Sequence, residues 1–244
     1  RDNVLMKLPA RRNVLPQFKG MTLQQCLACK DAKTLSLQTV NHRLADLSGF
    51  FTWCVEGEYI VANPVSGLLL EINGKVSNER LPYSSEELQK IFTLLREDKL
   101  NAWAPFKLWI PLIMLYCGCR QNEVCQLFTD NVLLINGIPC FEFIESEETG
   151  ARVKNESSIR ATPIHPFLLQ LGFLEYAAKR KFDRRNKKDT AVQLWPQMDY
   201  NPKDGYARRF RVFFEDFNRK YITKEPKKSC YSLRHNFIDN LKQQ

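Results

Sequence analysis

The sequence predicts a mainly α protein with a small antiparallel β-sheet, divided into two units between residues 75 and 80. Three observations carry that prediction. Apolar residues recur at steps of three and four over most of the chain, the signature of helices with one buried face. An Asn136-Gly137 pair, the dipeptide that favours a type I′ turn, lies between two short β-type runs. A polar stretch, Glu71–Arg80, separates two regions of apolar periodicity and reads as a linker. The 244 residues, 44% hydrophobic and 26% charged, contain enough apolar matter for a core in each unit. Disordered and collagen-like classes are excluded by that balance, and no run of ~18 uncharged apolar residues exists to span a bilayer.

The first unit, residues 1–75, opens with an extended lead-in and a short helix expected over Leu23–Cys29. Leu37, Val40, Leu44, Leu47, Phe51 and Val55 then mark one face of a long helix that Gly57 can end. Asn63-Pro64 begins a turn or short helix. The second unit, residues 80–244, starts where Ser84 or Ser85 can cap a helix with Glu86 and Glu87 in its first turn. Phe106–Cys117 is apolar on nearly every side and predicts a fully buried helix stopped by Gly118. A helical segment from Asn122 to Phe128 follows, then strands at Val132–Ile135, Ile138–Ile144 and Ser158–Pro163. Helices are expected over Pro166–Phe182, Gly205–Arg219 and Leu233–Lys242, with a basic loop at Arg184–Asp189.

Charge narrows the partner. The net charge is +9, and its excess is localised: Arg152–Arg234 holds 20 Lys and Arg against 9 Asp and Glu, a net +11, leaving −2 elsewhere. Such a segment suits a polyanion. The eight cysteines are too scattered for a disulfide scaffold, and thiols in a reducing compartment are expected. Cys26 and Cys29 form a lone CxxC with no second pair of zinc ligands, so no metal site is expected. The chain begins at Arg1, which reads as a fragment or a processed product.

Three short motifs hold residues suited to phosphate chemistry. Arg120 follows the buried helix in CGCRQNEVCQL, where a fixed backbone would present a guanidinium fork able to hold a phosphate oxygen pair. Glu123, three residues on, can orient it across one helical turn. Tyr231 and Arg234 in YSLRHNFID share a helix face and could touch one small anion. Lys154 lies between two expected strands, on a stem long enough to reach into a groove. His165, in PIHP, reads as a turn residue before a helix.

Taken together, these segments resemble the tyrosine recombinases, the phage-type integrases. LWIPLIMLYCGCRQNEVCQL resembles that family's buried helix and first arginine motif, VKNESSIRATPIHP its strand-turn lysine segment, and YSLRHNFID its second arginine motif, usually His-x-x-Arg. TVNHRLADLSGFFTWCVEGEYIVANP is similar to its N-terminal core-binding domain. The resemblance implies a helical core-binding domain, N-terminally partial, followed by a catalytic domain that lacks its C-terminal end. It implies breakage and rejoining of DNA through a 3′-phosphotyrosyl intermediate, integrating or excising a mobile element or prophage. Arg120 and Arg234 would hold the scissile phosphate, Glu123 would support Arg120, and Lys154 would protonate the 5′-oxygen. Tyr231 would stand where relatives place a histidine. No cofactor is required, and the nucleophilic tyrosine is expected beyond Gln244, since Tyr206, Tyr221 and Tyr231 lie at the wrong places.

Partners implied are double-stranded DNA attachment sites, a tetramer of the protein on DNA, and accessory DNA-bending proteins, with no membrane, in the cytoplasm at the bacterial nucleoid. Candidate DNA contacts are Lys179, Arg180, Lys181, Arg184, Arg185, Lys187, Lys188, Arg208, Arg209 and Arg211. Two other readings stay open: a non-cleaving DNA-binding module of the same fold, and an enzyme like the type IB topoisomerases.

Overall fold

A computed structural model describes residues 7–10, 13, 15–29, 32–72, 80–97, 104–153, 158–183 and 191–243. The Asn73-Gly74 part of the linker, Lys154 and the basic loop with Arg184, Arg185, Lys187 and Lys188 lie outside the described residues. The chain divides into two compact units, Arg1–Ser77 and Asn78–Gln244.

In the first unit, helix α1 spans Leu23–Ala28 behind a reciprocal cap between Thr22 and Gln25. Helix α2 spans Leu37–Glu56, capped by the Ser36 hydroxyl, which accepts the Thr39 amide, and ended at Gly57. Its face buries Val40, Leu44 and Cys54, whereas Leu47, expected on that face, is exposed. Two side-chain amides fold the following segment back along α2. Asn41 exchanges two bonds of 2.9 Å with the backbone of Leu70, and Asn63 donates to the Ser48 carbonyl at 3.0 Å.

The second unit is built around α4, Phe106–Cys117, after α3, Ser85–Glu97, which Ser84 and Glu87 cap reciprocally. Nine of the twelve residues of α4 are buried, the all-round burial that its composition demands. Pro111 sits inside it. Helix α5 is shorter and earlier than predicted, Gln121–Cys125. Strands β1 (Val132–Ile135), β2 (Ile138–Phe143) and β3 (Arg160–Pro163) form one antiparallel sheet in that order, with Val132 opposite Phe141 and Cys140 opposite Pro163. Asn136 and Gly137 both adopt positive φ, 50° and 79°, as a type I′ turn requires.

The single helix expected over Pro166–Phe182 is two, α6 (Pro166–Gln170) and α7 (Phe173–Lys181). The break falls at Gly172, whose φ of 86° no helix can contain. Helix α8 spans Arg208–Phe217 and runs on into a π-turn over Asn218–Ile222, where a single helix over Gly205–Arg219 was expected. Helix α9 starts three residues before the expected Leu233, at Cys230, because the Ser229 amide is taken by the Ser232 hydroxyl at 3.0 Å. That earlier start puts Tyr231 in the first turn of α9, one turn before Arg234.

Between the buried end of α4 and the start of α5 the chain must turn within three residues. Gly118 makes this turn in the left-handed region, φ 62°, with the Phe237 ring of α9 against it. A β-carbon there would lie 2.2 Å from Phe237 Cδ1. Gly118→Ala is therefore expected to lower unfolding stability by about 1–3 kcal/mol, through strain and overpacking together. Denaturant titration checks this, and a change below ~0.5 kcal/mol would show the turn is not tightly held.

Candidate phosphate-binding site

The α4–α5 turn delivers Arg120 in extended conformation immediately before α5. Cys119, fully buried, anchors the backbone on one side, and Val124 and Cys125 do so on the other. Glu123, at the third position of α5, turns back over its own helix start. Its Oε2 accepts the Arg120 amide at 2.7 Å, and its Oε1 accepts Arg120 Nη1 at 2.7 Å. The pairing that the three-residue spacing predicted is present.

The carboxylate is shared with an arginine that sequence reasoning passed over. Arg160, on β3, donates Nη2 to Glu123 Oε2 at 2.7 Å and Nη1 to Oε1 at 3.1 Å. Its guanidinium lies 4.8 Å from the centroid of the Phe143 ring, its cross-strand partner on β2. Ser158 joins the two arginines: its hydroxyl accepts Arg120 Nη1 and its carbonyl accepts Arg160 Nη1, each at 2.9 Å. A signal for Arg160 did exist, a lone cation within a predicted strand, but nothing local paired it with Glu123, 37 residues away.

Burial alone would push the Glu123 carboxyl up. The hydrogen bonds from Arg160 and Arg120 outweigh that and hold it down at about 2. The carboxylate thus stays charged throughout the physiological range.

Helix α9 approaches the same turn. Arg234 Nη1 donates to the carbonyl of Gly118, two residues before Arg120. Burial depresses the basicity of Arg234, and the positive field of Arg120 depresses it further. Tyr231 stands one turn earlier on α9, 43% exposed. Its phenol is raised by burial and by Cys230 against the opposing fields of Arg120 and Arg234, so it stays protonated and can donate. Three arginines and one carboxylate give the cluster a net charge of +2, a field that favours an anion. His165 caps α6, accepting the Phe167 amide at Nδ1, and plays no part in this cluster.

The candidate DNA contacts are less uniform than their shared charge implies. Lys179 and Arg208 are exposed. Arg180 turns inward, against Asp183 at 3.5 Å and the Gln193 carbonyl at 3.1 Å, and so corrects its reading as a surface phosphate contact. Lys181 pairs with Asp130 at 2.8 Å, Arg211 with Asp204 at 3.0 Å, and Arg209 donates to the Gln197 carbonyl at 3.2 Å. These three are exposed, so their pairs are weak and can be exchanged for phosphates.

Because the Glu123 carboxyl is depressed from its ordinary 4.5 to about 2, its ionised form stabilises the fold fully above pH ~4.5. That contribution is lost as pH falls through about 2. The stability of wild type relative to Glu123→Gln should therefore shrink as pH drops through this window. Unfolding titrations of both proteins between neutral and acid pH test it. A difference independent of pH would contradict the assignment.

No family model and no curated protein matches the chain. Among solved structures, the chain is similar to the Tn1549 transposon integrase in complex with transposon right end DNA. The TM-score is 0.57 at 18% identity, over 86% of this chain and 68% of that one. It is also similar to the XerH site-specific recombinase bound to a palindromic difH substrate in a post-cleavage complex. Here the TM-score is 0.59 at 20% identity, over 86% of this chain and 57% of that one. The chain thus has the fold of the tyrosine recombinases and integrases.

Proposed function

We propose that this chain is the phosphate-holding and DNA-binding part of a site-specific recombinase or integrase of a mobile element. The observation that carries the reading is the convergence of Arg120 and Arg234 on one turn, the second bonded to the carbonyl two residues before the first. Two arginines from separate motifs, brought together at net positive charge, suit the two non-bridging oxygens of a phosphodiester. Charge grows on those oxygens as the phosphorus becomes pentacovalent, and donors already in place stabilise it without reorganising.

In this proposal the reaction proceeds by attack of a tyrosine of the full-length protein. Its phenol, whose anion the cationic site favours, gives its proton to solvent as the Oη–P bond forms and the P–O5′ bond breaks, and Lys154 gives a proton to the departing 5′-oxygen. The phosphotyrosyl ester keeps the bond energy, so a second 5′-hydroxyl can reverse the step on another strand. Tyr231, protonated and half-exposed, is assigned a donor's role toward the phosphate rather than the nucleophile's. Residues 1–75 would add the core-binding contacts, and Lys179, Lys181, Arg208, Arg209 and Arg211 would hold the backbone of duplex DNA. Assembly would be as a tetramer on paired sites, with bending proteins as accessories.

In the full-length protein, Arg120→Ala or Arg234→Ala should slow strand cleavage by about 100-fold or more, the scale for loss of one preorganised donor. DNA affinity should fall much less, because other cations hold the duplex. Trapping on a nicked DNA substrate, read on a denaturing gel, measures cleavage, and band-shift titration measures binding. Equal losses in both would make these arginines ordinary DNA contacts and favour a non-cleaving module.

A further inference from the structure

The contacts of Glu123 carry an inference about Arg160, a residue of the lysine segment that has so far been given no role. A carboxylate offers about four lone-pair positions. Here four donors fill them: the Arg120 amide and Nη1, and the two Nη groups of Arg160. Arg120 therefore meets this carboxylate through a single terminal nitrogen, its Nη1, which Ser158 also receives. Fork-to-fork pairing is reserved for Arg160.

We propose that Arg160 is a positioning residue for Arg120: by occupying the Glu123 carboxylate bidentately it keeps that carboxylate from capturing the whole Arg120 fork, leaving the rest of the fork for phosphate. The inference rests on the reading that Arg120 holds the scissile phosphate. Arg160 is badly placed to hold phosphate itself. Both of its terminal nitrogens are committed to Glu123 and the Ser158 carbonyl, and its plane lies against Phe143, which is 1% exposed. Without Arg160, the buried carboxylate would face one arginine instead of two. A bidentate Glu123–Arg120 pair is then the strongest arrangement open to it, and that pair takes the donors a phosphate needs. Lysine at this position could restore charge but not the two-pronged occupation of both oxygens.

The test uses full-length wild type, Arg160→Gln and Arg160→Lys, the second retaining an aliphatic stem over Phe143. Thermal unfolding first establishes that each is folded. Three readouts follow: arginine side-chain NMR of Arg120, single-turnover cleavage of a nicked duplex, and affinity for that duplex. The expected result is a displaced Arg120 resonance in Arg160→Gln, with cleavage slowed by about 10–100-fold. DNA affinity should stay within about threefold, and Arg160→Lys should recover only part of the rate. An Arg120 resonance unchanged in both variants would overturn the proposal, and so would affinity falling in step with cleavage. If wild type cleaves nothing while the Arg120 resonance still responds to Arg160→Gln, the recombinase reading fails and the positioning role stands.

Discussion

The arrangement of this site depends on one buried carboxylate shared by two arginines. Glu123 is only 4% exposed, whereas the side chains of Arg120 and Arg160 are 33% and 29% exposed. An anion so enclosed is tolerable only when its lone pairs are filled, and an arginine on either side fills them. Removing one partner of a buried ion pair is costly because the other is left uncompensated. The site is accordingly held by the same bonds that keep Glu123 ionised. Position and charge state are one property here.

That carboxylate would be of little use without the backbone that aims it. The apolar helix α4 fixes where the chain emerges from the core, and Gly118 sets how it turns. Phe237 packs on that glycine and Arg234 bonds to its carbonyl, so α9 is registered on the turn by an apolar and a polar contact at one residue. A second tie lies on the same helix between Arg234 and Phe237, where the buried Asn236 side chain exchanges bonds of 2.9 and 2.7 Å with the backbone of Tyr83. The two arginine motifs, 114 positions apart in sequence, thereby become neighbours in space.

Much of the fold was legible because its signals are local. The apolar run of α4, the Asn136-Gly137 turn and the caps of α2 and α3 each depend on residues within a few positions of one another. Arg120 with Glu123 was legible for the same reason. The misreadings have physical causes of the opposite kind. Gly172 breaks a continuous helical pattern because it takes a left-handed conformation that periodicity does not register. Leu47 keeps helical spacing yet is exposed between the buried Leu44 and Cys54, and nothing in the structure explains it. Arg160 joins the site only because β3 pairs with β2 and carries it to α5, a contact set by sheet register. The basic residues of α7 and α8 counted alike in the charge tally, yet Arg180 is folded inward and the others differ in how firmly they are paired.

In the proposed function Arg120 and Arg234 address one phosphate together, with Glu123 and Arg160 holding the first of them in place. A structure of the protein bound to duplex DNA tests this most directly. Both guanidinium groups are expected within hydrogen-bond distance of the non-bridging oxygens of a single phosphate, with Arg160 still on Glu123 and off the DNA. Arg120 and Arg234 on different phosphates, or Arg160 released from Glu123 onto the backbone, would contradict it.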